Sequence, residues 1–386
     1  MKLYYDGAAA DVPARATLTC DLARLVGNYR RLARRAASEG ADPIAVVKAD
    51  AYGHGMRPVA RALYLAGARR FAVAELAEGV RLRPVVEDSE ILVLGPIPPE
   101  GARLAARAGL TATVYSIECA KALSQALGEA RLAVHIKLNS GMNRYGFPLE
   151  GGALDKTVRA VLAATAMPAL RPTGIYTHLA AADEDDSLTD AQILRLEGAL
   201  SALAARGLRL PHHTAASAAM LSRGALGGGA VRLGLSLYGY APTGDGAGLL
   251  PVGRLVAPLA QVYTLPVGAR VGYGGTYTAR GGERIGTLTV GYADGLPRGA
   301  AGARVRVAGR PCPIVGRVSM DSAAVLLPPD LPVGDGHLAT VFGEETGDLF
   351  ALAGAAGTIP YEILARLGPR VERMYKNEDF GHFCAE

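Results

Sequence analysis

Between about residues 15 and 243, short apolar runs alternate with longer amphipathic stretches, and this alternation limits the fold more than any other feature. Eight runs stand out, at residues 44–48, 71–74, 91–95, 111–115, 133–138, 174–178, 211–215 and 231–238. They recur about 20 to 40 residues apart, and eight βα units are the number that closes a (β/α)8 barrel. The stretch from Asp21 is the clearest helix: Leu22, Leu25, Val26, Tyr29 and Leu32 fall on one face and arginines fill the other.

After residue 242 the texture changes. Gly-rich turns separate short alternating segments such as 304–307 and 314–318, and long helical periods vanish until about Tyr361. The chain of 386 residues, half of them hydrophobic, is long enough for two cores. The expected organisation is therefore α/β plus β. A TIM-like (β/α)8 barrel spans 15–243, a mainly β domain spans 244–386, and a strand within 1–14 packs with the β domain.

Composition removes several function classes. The 41 basic residues, for a net charge of +5, are scattered, and no run of Lys/Arg is interleaved with aromatics, which argues against nucleic acid. Cys20, Cys119, Cys312 and Cys384 form no CxxC pair, so neither a zinc site nor a disulfide framework is indicated. The opening stretch lacks an apolar leader, and no later segment offers about 18 uninterrupted apolar residues, so a cytoplasmic location with no membrane partner is expected.

The chemistry begins at Lys48, where an apolar barrel strand opens onto the face that carries catalysis in such barrels. A desolvated lysine there has a lowered pKa suited to Schiff-base chemistry, although most lysines are simply solvated. Its surroundings, AVVKADAYGHG, resemble the pyridoxal-5'-phosphate (PLP) attachment segment of alanine racemases. The resemblance continues through KLNSGMNRYGF, YTHLAAADE, VRLGLSLYGYAP, VGYGGTYTA, GYADG and CPIVGRVSMD, and is strongest toward the catabolic type.

The resemblance implies an isomerase that interconverts L- and D-alanine, either supplying D-alanine as a peptidoglycan precursor or degrading it. Lys48 would form the internal aldimine, and Tyr52, Ser217, Gly234 and Leu235 would hold the phosphate. Inverting an α-carbon needs a proton removed from one face and returned on the other, so Lys48 and Tyr273 would serve opposite faces of the external aldimine. Tyr273 and Met320 would come from the second subunit of a homodimer, with the Met320 backbone N–H receiving the substrate carboxylate, Tyr292 shaping the same site and Asp321 supporting its loop. Arg232 would face the pyridine nitrogen with His178 beside it. Arginine only donates, so the ring nitrogen stays unprotonated and reprotonation at the α-carbon is favoured. Arg144 would stand beside the phenolic oxygen and substrate carboxylate, positioned by Lys137, a lysine often carbamylated in the family.

The chain also departs from the pattern. Asn139 replaces the usual Asp after Lys137, Ala216 replaces an Asn, Ser319 replaces a Cys, and no C-terminal phosphate-binding tyrosine is found near Pro369. Unaided, Ser217 reads as a helix N-cap, His178 as a packed core histidine, Arg232 as a salt-bridged arginine and the acidic run 183–186 as a solvated loop. His212 and His213 are adjacent on a strand and point to opposite faces, which disfavours a shared metal. A broad-specificity or serine racemase of the same fold is the alternative enzyme; a basic amino-acid decarboxylase is disfavoured by Arg232. A non-catalytic PLP-binding protein is the alternative outside catalysis, and it would leave the β segment without a task.

Overall fold

The computed structural model describes residues 14–241 and 248–377. The strand expected within 1–14 lies, but for residue 14, outside the described residues, as does the expected boundary at 243/244. By contacts the chain forms two units, one of residues 25–51, 56–241 and 248–249, the other of residues 14–24, 52–55 and 250–377.

The first unit is a ring of eight parallel strands: Asp42–Val46, Arg70–Val73, Glu90–Val93, Thr111–Val114, Leu132–Asn139, Leu170–Tyr176, His212–His213 and Ala230–Leu233. Each pairs with the next in sequence. The eighth pairs with the first and meets the seventh through the parallel bridge Ala216–Arg232. Burial is nearly continuous along strands such as Thr111–Val114, because helices cover a parallel sheet from outside while side chains fill it from inside. The outer helices behave as the sequence predicts. Leu22–Ser38 buries Leu22, Leu25, Val26, Tyr29 and Leu32.

The eighth run stops at Leu233: Gly234 (φ −109°, ψ −104°) breaks the strand, and a 3-10 turn, Leu235–Tyr238, follows. Gly234 and Leu235 thus lie after the strand, not within it. The acidic run is more than a solvated loop, since Asp185 caps the helix Asp186–Ala204 by accepting from the Leu188 N–H at 3.0 Å.

In the second unit the long strand Gly253–Leu265 pairs antiparallel with Ala16–Asp21, Leu338–Phe342 and Glu283–Leu288. Glu283–Leu288 then continues through Ala323–Leu327, Arg310–Val315 and Arg304–Val307 back to Leu338–Phe342, closing six strands into a ring. Residues 16–21, expected to lead into the barrel, belong to this sheet. Their alternation puts Ala16, Leu18 and Cys20 inside, the period-two signature of a half-buried strand. The unit also holds a helix that the sequence reading missed, Thr346–Ala355, capped by Glu345 and Asp348.

Candidate active site

The first barrel strand ends at Val46, and Lys48 opens an unusual turn. Ala49, Asp50, Ala51 and Tyr52 all adopt left-handed backbone angles, with φ between 51° and 55°. Each such residue costs an L-amino acid about 1–2 kcal/mol, so the turn needs outside support. The Glu78 carboxylate, buried, accepts the Ala49 N–H at 2.6 Å and the Ala74 N–H at 2.7 Å. The Asp50 carboxylate accepts the Met56 N–H at 2.7 Å. Strain held this firmly marks a site where side-chain direction matters.

The Lys48 Nζ makes no hydrogen bond among the described residues. Burial lowers its pKa, with Arg144 and Arg232 adding to the shift and Glu78 opposing it. Lys137, 4% exposed, is pushed down to about 7 by burial and by Arg144, Arg232 and Lys48. Its ammonium position stands 4.0 Å from the Tyr145 ring centroid and 5.1 Å from that of Tyr176. Arg144 is exposed, 5.6 Å from the Tyr145 ring. Among the described residues none of these four cations forms an ion pair. A cluster of uncompensated cations suits an anionic ligand.

Arg232 is 3% exposed, and its two terminal nitrogens are fully committed. One donates to His213 Nδ1 at 2.6 Å and the His213 carbonyl at 3.1 Å. The other donates to the Thr177 carbonyl at 2.9 Å, the Thr214 carbonyl at 2.8 Å and His178 Nδ1 at 3.1 Å. Only the Nε–H is left without a protein acceptor among the described residues. It is a single donor, free for one acceptor such as an unprotonated ring nitrogen. Burial and the Arg232 charge hold the His178 imidazole neutral, well below its ordinary pKa.

Asn139 has a different task from a charge partner. Its Oδ1 accepts the N–H groups of Gly141 and Asn143 at 3.2 and 2.9 Å, and its Nδ2 donates to Asn143 Oδ1 at 2.8 Å. It thereby shapes the loop that leads to Arg144.

Ser217 is the first residue of the helix Ser217–Arg223, whose N-cap is Ala216, so the capping reading is corrected. Its Oγ accepts the Gly234 N–H at 2.9 Å and lies 2.8 Å from Ser236 Oγ, a buried hydroxyl absent from the sequence reading. A hydroxyl pair beside the backbone of Gly234 and Leu235 is the kind of donor group that phosphates use in barrels.

The second unit carries the remaining candidates. Tyr52 is buried, its ring centroid 6.2 Å from that of Tyr361 at 48°. Burial and the neighbouring phenol raise the Tyr52 pKa, so its hydroxyl keeps its proton. Tyr361 is a C-terminal tyrosine beside a proposed phosphate-site residue, one the sequence alone did not single out. It sits on the short helix Pro360–Ala365, eight positions before Pro369, and the partner ring is what exposes it.

Tyr273 begins the 3-10 turn Tyr273–Gly275 and is 68% exposed; Tyr292 and Met320 are 42% and 51% exposed. The GYADG and VSMD loops are bound together. Tyr292 and Ala293 donate backbone N–H groups to the carbonyls of Ser319 and Met320 at 3.1 and 3.0 Å. A Cβ at Gly291 would fall 2.4 Å from the Met320 carbonyl oxygen, so only glycine admits this approach. Arg370 donates to Asp294 at 2.9 Å and to Asp321 at 2.7 Å, and buried Asp294 accepts the Gly291 N–H at 2.9 Å. The Met320 N–H itself has no acceptor among the described residues.

Comparison with known proteins agrees with both units. Residues 20–242 match the family model described as alanine racemase, N-terminal domain, and residues 252–375 match that for the C-terminal domain. The chain is 38% identical to an alanine racemase of Limosilactobacillus fermentum over 371 residues, covering 93% of this chain and 97% of that protein. Among solved structures, the alanine racemase from Streptomyces coelicolor A3(2) superposes with a TM-score of 0.87 at 36% identity, covering 96% of this chain and all of the other. The alanine racemase from Bartonella henselae with covalently bound pyridoxal phosphate gives 0.84 at 29% identity, covering 94% of this chain and 100% of that one. With both halves matched in order and nearly end to end, the chain belongs to the alanine racemase family.

Proposed function

We propose that the protein racemises alanine with PLP, using Lys48 and Tyr273 as the two bases. The observation that carries this reading is Arg232, a buried donor with only its Nε–H uncommitted, in whose field the unbonded Lys48 amine stands. When bound, PLP supplies the electron-withdrawing ring that makes the α-hydrogen of an amino acid acidic.

The chain's own groups do the rest. Lys48, its pKa lowered, offers a neutral amine for cofactor attachment and for moving a proton at one face of the α-carbon. Arg232 has its Nε–H to donate and cannot accept, so a pyridine nitrogen held against it would stay unprotonated. Ser217, Gly234 and Leu235 would hold phosphate oxygens, and the Tyr52 phenol is a further candidate donor. Arg144, held by the Asn139 loop, would meet the substrate carboxylate and the phenolic oxygen.

Tyr273, Tyr292 and Met320 act in the site of a second copy of the chain, in a homodimer that shares its active sites. Their exposure in a single chain supports this, as does the unmet Met320 N–H, which suits a carboxylate oxygen. Lys137 is the candidate for carbamylation, because an amine whose pKa is about 7 is partly neutral at physiological pH and can add carbon dioxide. The resulting anion would offset the cations around it. The dispersed cysteines favour a cytoplasmic enzyme that supplies D-alanine for cell-wall precursors or degrades it.

The test is to incubate the PLP-loaded protein with L-alanine and other L-amino acids in heavy water, following optical rotation and α-deuteration. Alanine should invert with deuterium at the α-carbon. Retention of full speed in Tyr273→Phe would remove that residue from its role, and borohydride labelling of an amine other than Lys48 would overturn the reading.

A further inference from the structure

We propose that Glu90, His135 and His213 form a hydrogen-bond chain of fixed polarity that holds Arg232, with Glu90 as a positioning residue remote from the reacting atoms. The inference rests on the reading that Arg232 faces the cofactor ring, and it deepens that reading.

The polarity follows from the two ends. Arg232 can only donate, so His213 Nδ1, 2.6 Å from its terminal nitrogen, must present a lone pair. The neutral His213 ring then carries its hydrogen on Nε2, which lies 3.0 Å from His135 Nδ1. His135 Nδ1 must therefore accept, and its own hydrogen sits on Nε2, 3.3 Å from the Glu90 carboxylate. A carboxylate only accepts, so the chain closes with every donor facing an acceptor. The reverse polarity would put an N–H of His213 against the N–H of Arg232 at 2.6 Å.

Packing shows that the path is built. Glu90 opens the third strand, His135 lies on the fifth, His213 on the seventh and Arg232 on the eighth, so the chain crosses the barrel interior. The Tyr176 ring stacks on His213 at 4.8 Å and 7°, fixing its plane. At residue 174 a Cβ would fall 2.7 Å from His135 Nε2, so glycine clears the space for that ring. Burial and Arg232 keep His213 neutral, and the hydrogen bond from His135 holds the Glu90 carboxyl below its usual range. Glu90 also lies 3.5 Å from Arg70, which has no part in the chain.

The experiment uses holoenzyme with ring-15N histidine. Long-range nitrogen–proton spectra of the parent should show His135 and His213 each as a single tautomer protonated on Nε2; Nδ1 protonation of His213 would overturn the proposal in the parent alone. Glu90→Leu removes the terminal acceptor. It should give mixed tautomers at both histidines and lower kcat about tenfold with little change in KM. Glu90→Gln, which keeps an acceptor oxygen, should restore the single tautomers and most of kcat. Arg70→Met, which removes only the salt bridge, should leave spectra and kcat as in the parent. Unchanged tautomers and kcat in a folded Glu90→Leu protein would sink the chain. Borohydride labelling at Lys48 is read in the same samples. Its loss in the parent would break the cofactor reading, while the tautomer pattern would still report on the chain.

Discussion

In the barrel unit Lys137 and Arg232 are 4% and 3% exposed, and Arg232 meets five protein acceptors; in the second unit Tyr273 and Met320 are 68% and 51% exposed, and the Met320 N–H meets none among the described residues. The barrel groups are held by strands and by each other. The second set rides on loops tied down by Asp294, Asp321 and Arg370. Preorganised groups suit a resident cofactor, which needs fixed geometry. Exposed groups on a rigid mount suit a surface completed by another molecule, and a second copy of the chain is the partner proposed above.

The largest effect is expected at Lys48. Lys48→Ala should abolish racemisation by ~10⁴-fold or more and remove borohydride labelling, because it deletes both the attachment point and a base. Tyr273→Phe should lower kcat about 10²- to 10³-fold. Its exposed ring should leave folding stability within about 0.5 kcal/mol, read by urea denaturation. Mixing the two inactive variants under subunit exchange separates the alternatives. If sites are shared between copies, hybrid dimers hold one intact site each and activity returns to about a quarter of the parent value. If both bases come from one chain, nothing returns.

The barrel was legible because eight hydrophobic runs at regular spacing admit few other closures, and the motifs around Lys48, Arg232 and Tyr273 pointed to the family that the comparisons show. What escaped was set by tertiary contact. Nothing in Lys-Ala-Asp-Ala-Tyr distinguishes a left-handed turn from an ordinary helical start; it is the Glu78 carboxylate, 29 residues away on another element, that holds it. Tyr361 was missed because its meaning lies in the Tyr52 ring beside it, and Ser236 because its partner is a hydroxyl 19 residues away. His135 and Glu90 carried no motif at all, and only the tautomer argument through Arg232 gives them a role. The helix Thr346–Ala355 hid in a small-residue stretch with weak amphipathic periodicity.

A smaller effect sharpens the account of the loop mount. Asp294→Asn keeps an acceptor oxygen but removes the charge that Arg370 meets, so stability should fall by about 1–3 kcal/mol. Because Asp294 fixes the loop beside Met320 and not a base, KM for alanine should rise several-fold with kcat nearly kept. A selective loss of kcat would show that the loop serves the chemical step instead.

An effect on stability alone, with a defined sign, concerns Lys137. Its pKa falls from the usual 10.5 to about 7, so between those values the unfolded chain holds a proton that the folded chain has released. Stability should therefore rise with pH across that window, and the contribution is absent below it, where the folded amine must be charged among Lys48, Arg144 and Arg232. Lys137→Met should flatten that rise in urea midpoints measured from pH 7 to pH 10. Carbamylation of Lys137, as proposed, needs the same neutral amine: a carbamate carbon signal from labelled bicarbonate should grow as pH passes about 7 and vanish in Lys137→Met. A signal that weakened with rising pH across 7 would mean that the amine is not the group responding, and that the cationic cluster is relieved by the bound anion alone.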